Sequence, residues 1–304
     1  MKLSEAFLDY ELNEILAMNY STNTLKVYQN TARVAIKYFG DVSIKKLSIE
    51  DVHSFYLFLT GKVSKNTARR YISNFRCVIK YCRKRGLKVM NPDEIRTPRG
   101  EKKVARFLSE EQVIRFLSVA GTPSRGYSKL NMMRNVVVIQ MLYESGLRVS
   151  ELCSLDRGSI KDREFVVVGK SKEPRPCYIT KALESELNDY LSARTDDNPA
   201  LFISVQNGER LTPHNVQEIF RRLSKQAGVG TVTPHTLRHS YATKFLDSGV
   251  DIRLIAKLLG HQSINTTQQY THVTDRLLRD VYQSTMDENC GKLSAKSCQK
   301  HIAI

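Results

Sequence analysis

The sequence lacks any long apolar run. No segment of the 304 residues reaches the roughly 18 consecutive apolar residues that a membrane-spanning helix needs. The first residues, MKLSEAFLDYELNE, are acidic and amphipathic, which argues against a secretory signal. We therefore predict a cytoplasmic protein that has no membrane partner.

Paired cysteines and phosphate-binding loops are also missing. The six cysteines are scattered, and no two of them form a C-x-x-C pair. This spacing argues against a zinc site and against a disulfide framework. The pattern G-x-x-x-x-G-K-[ST] does not occur either. The sequence therefore predicts neither a cofactor nor a metal.

Acidic residues are scarce relative to basic ones. The chain has 47 Lys and Arg against 31 Asp and Glu, a formal net charge of +16. Such a surplus favours a polyanionic partner, because each contact to a phosphate releases counterions. The overall composition is that of an ordinary globular protein, and the length predicts about two domains.

Most of the surplus charge is local. Residues 61–106 contain 15 Lys and Arg but only 3 Asp and Glu. A helix predicted from about Ser64 to Arg85 carries its apolar residues on one arc and five basic residues on a separate stripe. Such a stripe is usually a solvated surface, but its narrowness and lack of counter-charges favour contact with DNA. These five residues are Lys65, Arg69, Arg76, Lys80 and Arg83.

The pattern predicts two domains and a linker. Residues 1–90 are predicted to form an all-α domain that clamps DNA, with helices over residues 3–18 and from caps at Ser21, Ser48 and Ser64. The segment 91–106 is charged, contains two prolines and is predicted to be a basic linker. Residues 107–286 are predicted to form a mainly α (α+β) catalytic domain, and residues 287–304 a mobile tail.

The second domain combines helices with a small antiparallel sheet. EFVVVGK and PCYIT are predicted to be a strand pair, with a third short strand at LFISV. Ser109 is predicted to cap a helix, and an apolar helix is expected around Asn135–Glu144. Thr212-Pro213 and Thr233-Pro234 have the cap-then-proline order of a helix start.

Candidate functional residues lie at helix starts. Arg148 follows Gly146 in ESGLRVSEL, and Glu151 is placed to orient its guanidinium group. Taken alone, an arginine at a helix start is usually a surface residue. His235 and Arg238, in TPHTLRHSYAT, are three residues apart and share a helix face, where backbone amides also favour an anion.

Two histidines with a spacing of four raise the alternative of a metal. His235 and His239 have the spacing of a zinc pair, but Thr236 stands where H-E-x-x-H requires glutamate. A zinc site is therefore disfavoured. His261 and Tyr270 close the set in LLGHQSINTTQQYTHV; each alone is more typical of a helix end or a core position.

In combination, these motifs resemble the tyrosine recombinase (phage integrase) family, and within it the short Xer-like proteins. G-L-R-x-S-E-L, H-x-L-R-H-x-x-A-T and L-G-H…Y occur in order within residues 5–285. The resemblance implies that Tyr270 is the nucleophile. It also implies catalytic roles for Arg148, His235, Arg238 and His261. The family's hairpin lysine matches Lys170 best in GKSKEPR, with Lys172 as the alternative.

The resemblance also implies a reaction and an assembly. The tyrosine would join a 3′ phosphate and release a 5′ hydroxyl, which then attacks the same linkage in a partner duplex. The partners implied are double-stranded DNA with paired half-sites, a homotetramer on that DNA, and an accessory protein or sister recombinase. The helix in VTDRLLRDVYQST would dock on a neighbouring protomer or pack on its own domain.

Two other functions would account for part of the pattern. IRLIAKLLGHQSINTTQQY also has the pattern of a helix-turn-helix, which would suit a DNA-binding regulator. That hypothesis explains the charge but leaves Arg148, the hairpin lysine and the pair His235 and Arg238 without a role. A type IB topoisomerase would share the chemistry but needs no second duplex, and the two-domain layout favours recombination.

Overall fold

The computed structural model describes residues 1–97, 100–101, 105–123, 128–169 and 173–260. The chain divides into two compact units, residues 1–103 and 104–304, and each is described by itself. The finer boundaries at residues 90, 106 and 286 remain predictions.

The N-terminal unit is helical throughout its regular elements. Serine side chains cap three of its helices at the predicted positions, since Ser21, Ser48 and Ser64 each accept from the backbone amide three residues on. The predicted helix over residues 3–18 begins as an α-helix but continues as a π-helical segment, Glu11–Leu16. The α-helices are α1 (Leu3–Tyr10), α2 (Thr22–Phe39), α3 (Ile49–Thr60) and α4 (Lys65–Lys84).

Phenylalanines from several helices form the centre of this unit. The Phe75 ring of α4 lies 6.2 Å from that of Phe7 and 6.4 Å from that of Phe55, centroid to centroid. Most of the arc predicted to be apolar on α4 is buried against them, with Tyr71 half-buried. Burying that arc turns the basic stripe of the same helix away from the core.

The C-terminal unit is built around one long helix. Its helices are α5 (Glu110–Gly121), α6 (Lys129–Ser145), α7 (Val149–Ser154), α8 (Lys181–Ser192), α9 (Pro213–Ala227), α10 (Pro234–Asp247) and α11 (Ile252–Leu259). Ser128 caps α6, so this helix starts well before the predicted Asn135. Apolar side chains are buried on several sides of α6, which makes it the central helix of the core. The sequence patterns did not predict α8.

A two-stranded antiparallel sheet, β1 (Glu164–Val168) and β2 (Pro174–Tyr178), completes the unit. Glu164 pairs with Tyr178, and Val168 with Pro174, so the strands bracket the loop that contains the candidate lysines. The third strand predicted at LFISV does not form. Ile203 makes only an isolated bridge, because hydrogen bonds within residues 204–209 reverse the chain at once.

Within the part of the chain that the structure describes, no helix is both long and apolar enough to cross a bilayer. The buried apolar residues instead form the interiors of the two units. A smaller apolar cluster between α10 and α11 contains Tyr241, Leu246 and Leu259. This cluster fixes the end of α11 beside α10, which is where the candidate site lies.

Candidate active site

The site begins at a glycine that lets three helices meet. Gly146 ends α6 with a left-handed backbone, φ 60°. A Cβ atom there would lie 2.8 Å from the Tyr241 ring of α10 and 3.0 Å from Leu259 of α11. Real Cβ atoms do not approach so closely, so a side chain at this position would push the helices apart. The close approach brings residue 148 to the end of α11.

Arg148 and Glu151 are joined at the start of α7. The Arg148 backbone amide donates to Glu151 Oε2 at 2.8 Å, and its Nη1 donates to Glu151 Oε1 at 2.7 Å. Burial by itself raises the pKa of Glu151. The Arg148 amide and the charges of Arg175 and Arg148 outweigh that effect, and the net pKa is lowered. Glu151 is therefore a buried anion that fixes the direction of the Arg148 guanidinium.

Arg238 projects from the second turn of α10 into the interior. Only 2% of the residue is accessible to solvent. Its Nη1 donates to the Gly146 carbonyl at 2.6 Å and its Nη2 to the Leu259 carbonyl at 2.5 Å. Two backbone carbonyls from different elements thus fix the plane of this guanidinium group.

Three arginines converge on the end of α11. Gly260 ends this helix with φ 64°, and the last carbonyls of a helix carry partial negative charge because they lack intrahelical partners. Three successive carbonyls accept from guanidinium groups: Leu258 from Arg175 at 2.8 Å, Leu259 from Arg238 at 2.5 Å, and Gly260 from Arg148 at 3.2 Å. The arrangement gathers positive charge immediately before position 261 of the chain.

The two histidines of α10 stand edge to face, with ring centroids 5.1 Å apart. His235 is exposed as a residue, but its ring is partly desolvated. This desolvation, and then the charges of Arg238 and Arg148, lower the pKa of His235. The pKa of His239 is lowered to about 4, first by desolvation and then by His235 and Arg238. Both rings are therefore neutral near pH 7 and can exchange hydrogen bonds without adding charge. Among the described residues, no group of three or more His, Cys, Asp or Glu could hold a metal ion.

Four candidate residues, Lys170, Lys172, His261 and Tyr270, lie outside the described residues. The chain is described on both sides of the lysine loop and up to Gly260, the residue before His261. β1 and β2 flank the lysine loop, and α11 ends directly before His261. The structure therefore brings together the predicted Arg148, Glu151, His235, Arg238 and His239.

The five basic residues of the stripe predicted on α4, called the α4 stripe from here on, lie on the outer face of the N-terminal unit. Four of its members are exposed and Arg76 is half-buried. The expected lack of counter-charges is wrong for two members. Lys65 pairs with Glu101 at 3.1 Å, and Arg76 pairs with Asp93 at 3.0 Å. Both carboxylates come from the chain beyond the helix, which folds back along α4, so the pattern within the helix could not indicate them.

Sequence reasoning missed Arg175 at this site. It lies on the inward face of β2, where the burial of residues 174–178 alternates strictly. A cation at an inward position of an alternating strand is a signal, because a charge is rarely buried unless it is paired. PRPCY carries that signal, but the charges just before it are equally typical of a loop.

Comparisons with known proteins place these motifs in one family. The phage integrase family matches residues 106–276, and the phage integrase SAM-like domain matches residues 6–97. The tyrosine recombinase XerD of Oceanobacillus iheyensis is 35% identical over 285 residues, which cover 87% of this chain and 92% of the relative. The tyrosine recombinase XerA of Thermococcus kodakarensis is 34% identical over 285 residues, 92% of either chain.

Solved structures share the fold. The Tn1549 transposon integrase in complex with transposon right end DNA has a TM-score of 0.74 at 19% identity, covering 89% of this chain and 94% of that one. The XerH site-specific recombinase bound to a palindromic difH substrate has a TM-score of 0.71 at 23% identity, covering 88% and 81%. The predicted fold class, an all-α domain followed by a mainly α domain with a small antiparallel sheet, is thereby confirmed. The chain belongs to the phage integrase family of tyrosine recombinases.

Proposed function

We propose that this protein is a site-specific recombinase that cuts and rejoins DNA through a 3′-phosphotyrosine formed by Tyr270. The observation that carries the proposal is the convergence of Arg148 and Arg238 on adjacent carbonyls of residues 259 and 260. It concentrates fixed positive charge at residues 259 and 260, directly before the segment of the sequence that contains His261 and Tyr270.

The arginines suit a phosphodiester. Planar guanidinium groups bind phosphate oxygens with directed, paired hydrogen bonds, and they stabilise the charge that grows in the transition state. The Arg148 side chain is 32% accessible, so it can meet a substrate oxygen while Glu151 holds it. Arg238 supplies a buried charge whose position is set by Gly146 and Leu259. Donors fixed before the substrate arrives need no reorganisation during the reaction.

The remaining predicted site residues would carry out the proton transfers. In the proposed reaction the Tyr270 oxygen attacks phosphorus and passes its proton to His261 or His235, while the bond to the 5′ oxygen breaks and Lys170 protonates that oxygen. The free tyrosine is a weak nucleophile, so it needs a neighbouring group to assist it. His261 and the neutral His235 are the candidates for that assistance and for hydrogen bonding to phosphate. A 5′ hydroxyl from the partner duplex then attacks the phosphotyrosine and releases Tyr270.

We assign DNA contact outside the site to the α4 stripe. Lys and Arg on one helix face would follow the phosphate backbone and set affinity without reading sequence. Exchange between two duplexes requires several active sites, so we propose a homotetramer on paired half-sites, with an accessory protein or a sister recombinase as a further partner. Such a protein would act in the cytoplasm, at the nucleoid.

The test is a covalent complex on DNA. Nicked or suicide duplexes that carry candidate repeats from the DNA flanking the gene would be incubated with the protein in EDTA and resolved on a denaturing gel. We expect an adduct with the wild type and with the control Tyr178→Phe, an exposed tyrosine on β2. Tyr270→Phe should give none.

Two results would contradict the proposal. An adduct that persists in Tyr270→Phe would assign the nucleophile elsewhere. Tight DNA binding without an adduct on any substrate, with the same behaviour in Tyr270→Phe, would favour a DNA-binding regulator that does not cleave.

A further inference from the structure

We propose that Arg175 is a positioning residue of the active site, holding Arg148 through Glu151 and tying the β1–β2 hairpin to the end of α11. The proposal rests on the recombinase function above and deepens it. Its basis is the set of contacts that Arg175 makes between three separate elements.

Arg175 is buried, and both terminal nitrogens of its guanidinium group contact neighbours in the site. Only 5% of the residue is accessible. Its Nη2 donates to Glu151 Oε2 at 2.7 Å, and its Nη1 donates to the Leu258 carbonyl at 2.8 Å. The same Nη1 lies 2.9 Å from Cys177 Sγ, the next inward side chain of β2. One side chain thus joins β2, α7 and α11.

Glu151 connects Arg175 to Arg148. Its Oε1 accepts from Arg148 and its Oε2 accepts from Arg175, so the carboxylate is shared by two guanidinium groups. A buried carboxylate is costly unless each oxygen is satisfied. Loss of Arg175 would leave Oε2 to the Arg148 backbone amide alone and would remove a charge that lowers the pKa of Glu151. Arg148 would then be held by a weaker and more mobile anion.

The end of α11 is shaped around the Arg175 side chain. A Cβ atom at Gly260 would lie 2.8 Å from Arg175 Cδ and 3.1 Å from its Nε, and φ at Gly260 is +64°. A glycine at this position therefore leaves room for the aliphatic part of Arg175 directly before His261. The arginine stem and the helix end are packed as one unit.

The contacts are not those of a side chain that only stabilises the fold. Among the described residues, Arg175 Nε is one of the few buried polar atoms that have no hydrogen-bond partner. An unsatisfied buried N–H costs free energy and calls for an explanation. An apolar residue would fill this inward position of β2 at lower cost. Arg175 instead gives the hairpin that carries Lys170 a fixed link to Arg148.

The proposal separates two measurable quantities. Arg175 is buried, so its removal should leave DNA affinity nearly unchanged. The rate of cleavage at saturating DNA should fall, because Arg148 and the hairpin lose their common anchor. We expect Arg175→Met to slow adduct formation about 10- to 100-fold, by analogy with side chains that orient metal ligands through a hydrogen bond. Arg175→Lys keeps the charge but not the forked donors, and should recover part of the rate.

Arg134 supplies a matched control. It is also 5% accessible and lies in the same unit, where it bonds to Asn135 and to the Ile203 carbonyl. Arg134→Met should lower the melting temperature but leave the adduct rate of the folded protein unchanged. A wild-type rate in Arg175→Met would overturn the proposal, as would an equal loss of rate in Arg134→Met.

The pH titration of Glu151 gives a second readout. Because the charge of Arg175 lowers the pKa of Glu151, its loss should raise that pKa. The Glu151 carboxyl should therefore titrate at higher pH in Arg175→Met and at an unchanged pH in Arg134→Met, as followed by NMR of carboxyl-labelled glutamate. An unshifted titration of Glu151 in Arg175→Met would overturn the link through Glu151.

Hydrogen exchange tests, without any DNA, whether Arg175 stabilises α7 and the end of α11. Arg175→Met should speed amide exchange in residues 255–260 and 149–152, while Arg134→Met should not. Unchanged exchange there overturns the proposal whether or not the protein cleaves DNA. Failure of the wild type to form any adduct would instead overturn the recombinase function itself, so the two failures are distinguishable.

Discussion

The cations of the α4 stripe differ in burial and in hydrogen-bond partners from two of the arginines at the end of α11, Arg175 and Arg238. Four of the five stripe residues are exposed, and two of the five pair with carboxylates on the protein surface. Arg175 and Arg238 are at most 5% accessible and donate to backbone carbonyls or to a buried carboxylate.

The difference separates affinity from geometry. Exposed cations keep their hydration and rotamer freedom, so they attract any polyanion and are screened by salt. Buried guanidinium groups have lost both, and their contribution depends on a fixed position relative to the substrate. A change in the stripe should therefore alter how much DNA binds. A change at the end of α11 should alter how fast bound DNA is cut.

The largest expected effect comes from Arg238. Arg238→Ala should lower the rate of adduct formation at saturating DNA by about 10²- to 10³-fold, the range for loss of one fixed donor to a developing charge. Arg238→Lys should stay close to the alanine variant, because lysine cannot bridge the Gly146 and Leu259 carbonyls in one plane. DNA affinity, measured by fluorescence anisotropy, should change little in either variant.

Arg194→Ala is the control, since Arg194 is also buried and also binds backbone carbonyls, those of Ala200 and Leu201. It should lose stability but retain the cleavage rate per folded molecule. A large loss of affinity in Arg238→Lys would erase the distinction between the two groups of cations.

Gly146→Ala should lower both the stability of the protein and its cleavage rate. The new Cβ atom would meet the Tyr241 ring at 2.8 Å with a backbone at φ 60°, and such strain costs about 1–3 kcal/mol. We expect a lower midpoint in urea unfolding and a slower cleavage rate, because α10 and α11 are displaced. The control is Gly158→Ala, where a Cβ atom meets nothing within 4 Å. Equal midpoints for the two variants would show that the contact at Gly146 is not tight.

Substitutions in the α4 stripe should change the affinity for DNA and not the cleavage rate. Replacing Arg69, Lys80 and Arg83 by alanine should weaken binding to all DNA sequences alike. It should also reduce the slope of log affinity against log salt by about 0.9 for each phosphate that the protein no longer neutralises. The cleavage rate at saturation should be unchanged. Arg76→Ala should have a smaller effect, since Arg76 already pairs with Asp93. A sequence-dependent loss of affinity would mean that these residues read bases.

The smallest effect concerns His239. Its pKa in the folded state is about 4, below the ordinary value of about 6.5, so the unfolded chain binds more protons between these pH values. Stability should therefore fall as pH decreases from 6.5 towards 4, by at most about 1.4 kcal/mol per pH unit. His239→Gln should flatten this decline in thermal unfolding, whereas replacing the exposed His214 of α9 should not. An unchanged slope in His239→Gln would contradict burial as the cause.

Local signals were the part of the structure that the sequence predicted well. Serine and threonine caps act on amides three residues away, so the starts of α2 to α5, α9 and α10 follow from short patterns. The link between Arg148 and Glu151 is equally local. The start of α6 was missed because its buried residues lie on several sides of the helix and leave no clear polar face. The helix α8 was missed because its cap, Thr180, lies in the segment PCYIT that was predicted to be a strand.

Long-range contacts could not be derived from the pattern. The Arg238 guanidinium binds a carbonyl 92 residues earlier in the chain, and Arg175 reaches Leu258 across 83 residues. Motif order indicated that Arg238 belongs to the site, but no spacing rule gives its partners. The paired members of the stripe were missed for the same reason, since Asp93 and Glu101 approach α4 only in the folded unit.

The prolines of β2 have a consequence for aggregation. The Ile179 N–H donates to the Arg163 carbonyl, and β2 runs in register with β1. The backbone N–H groups of residues 175, 177 and 179 therefore point to β1, and the backbone of residues 174, 176 and 178 points away from it. Pro174 and Pro176 have no N–H, which leaves Tyr178 as the outward donor among these three. A β-strand from another molecule would therefore find few hydrogen-bond donors along this edge of β2. The prolines therefore protect the β2 edge of the hairpin from pairing with another β-strand.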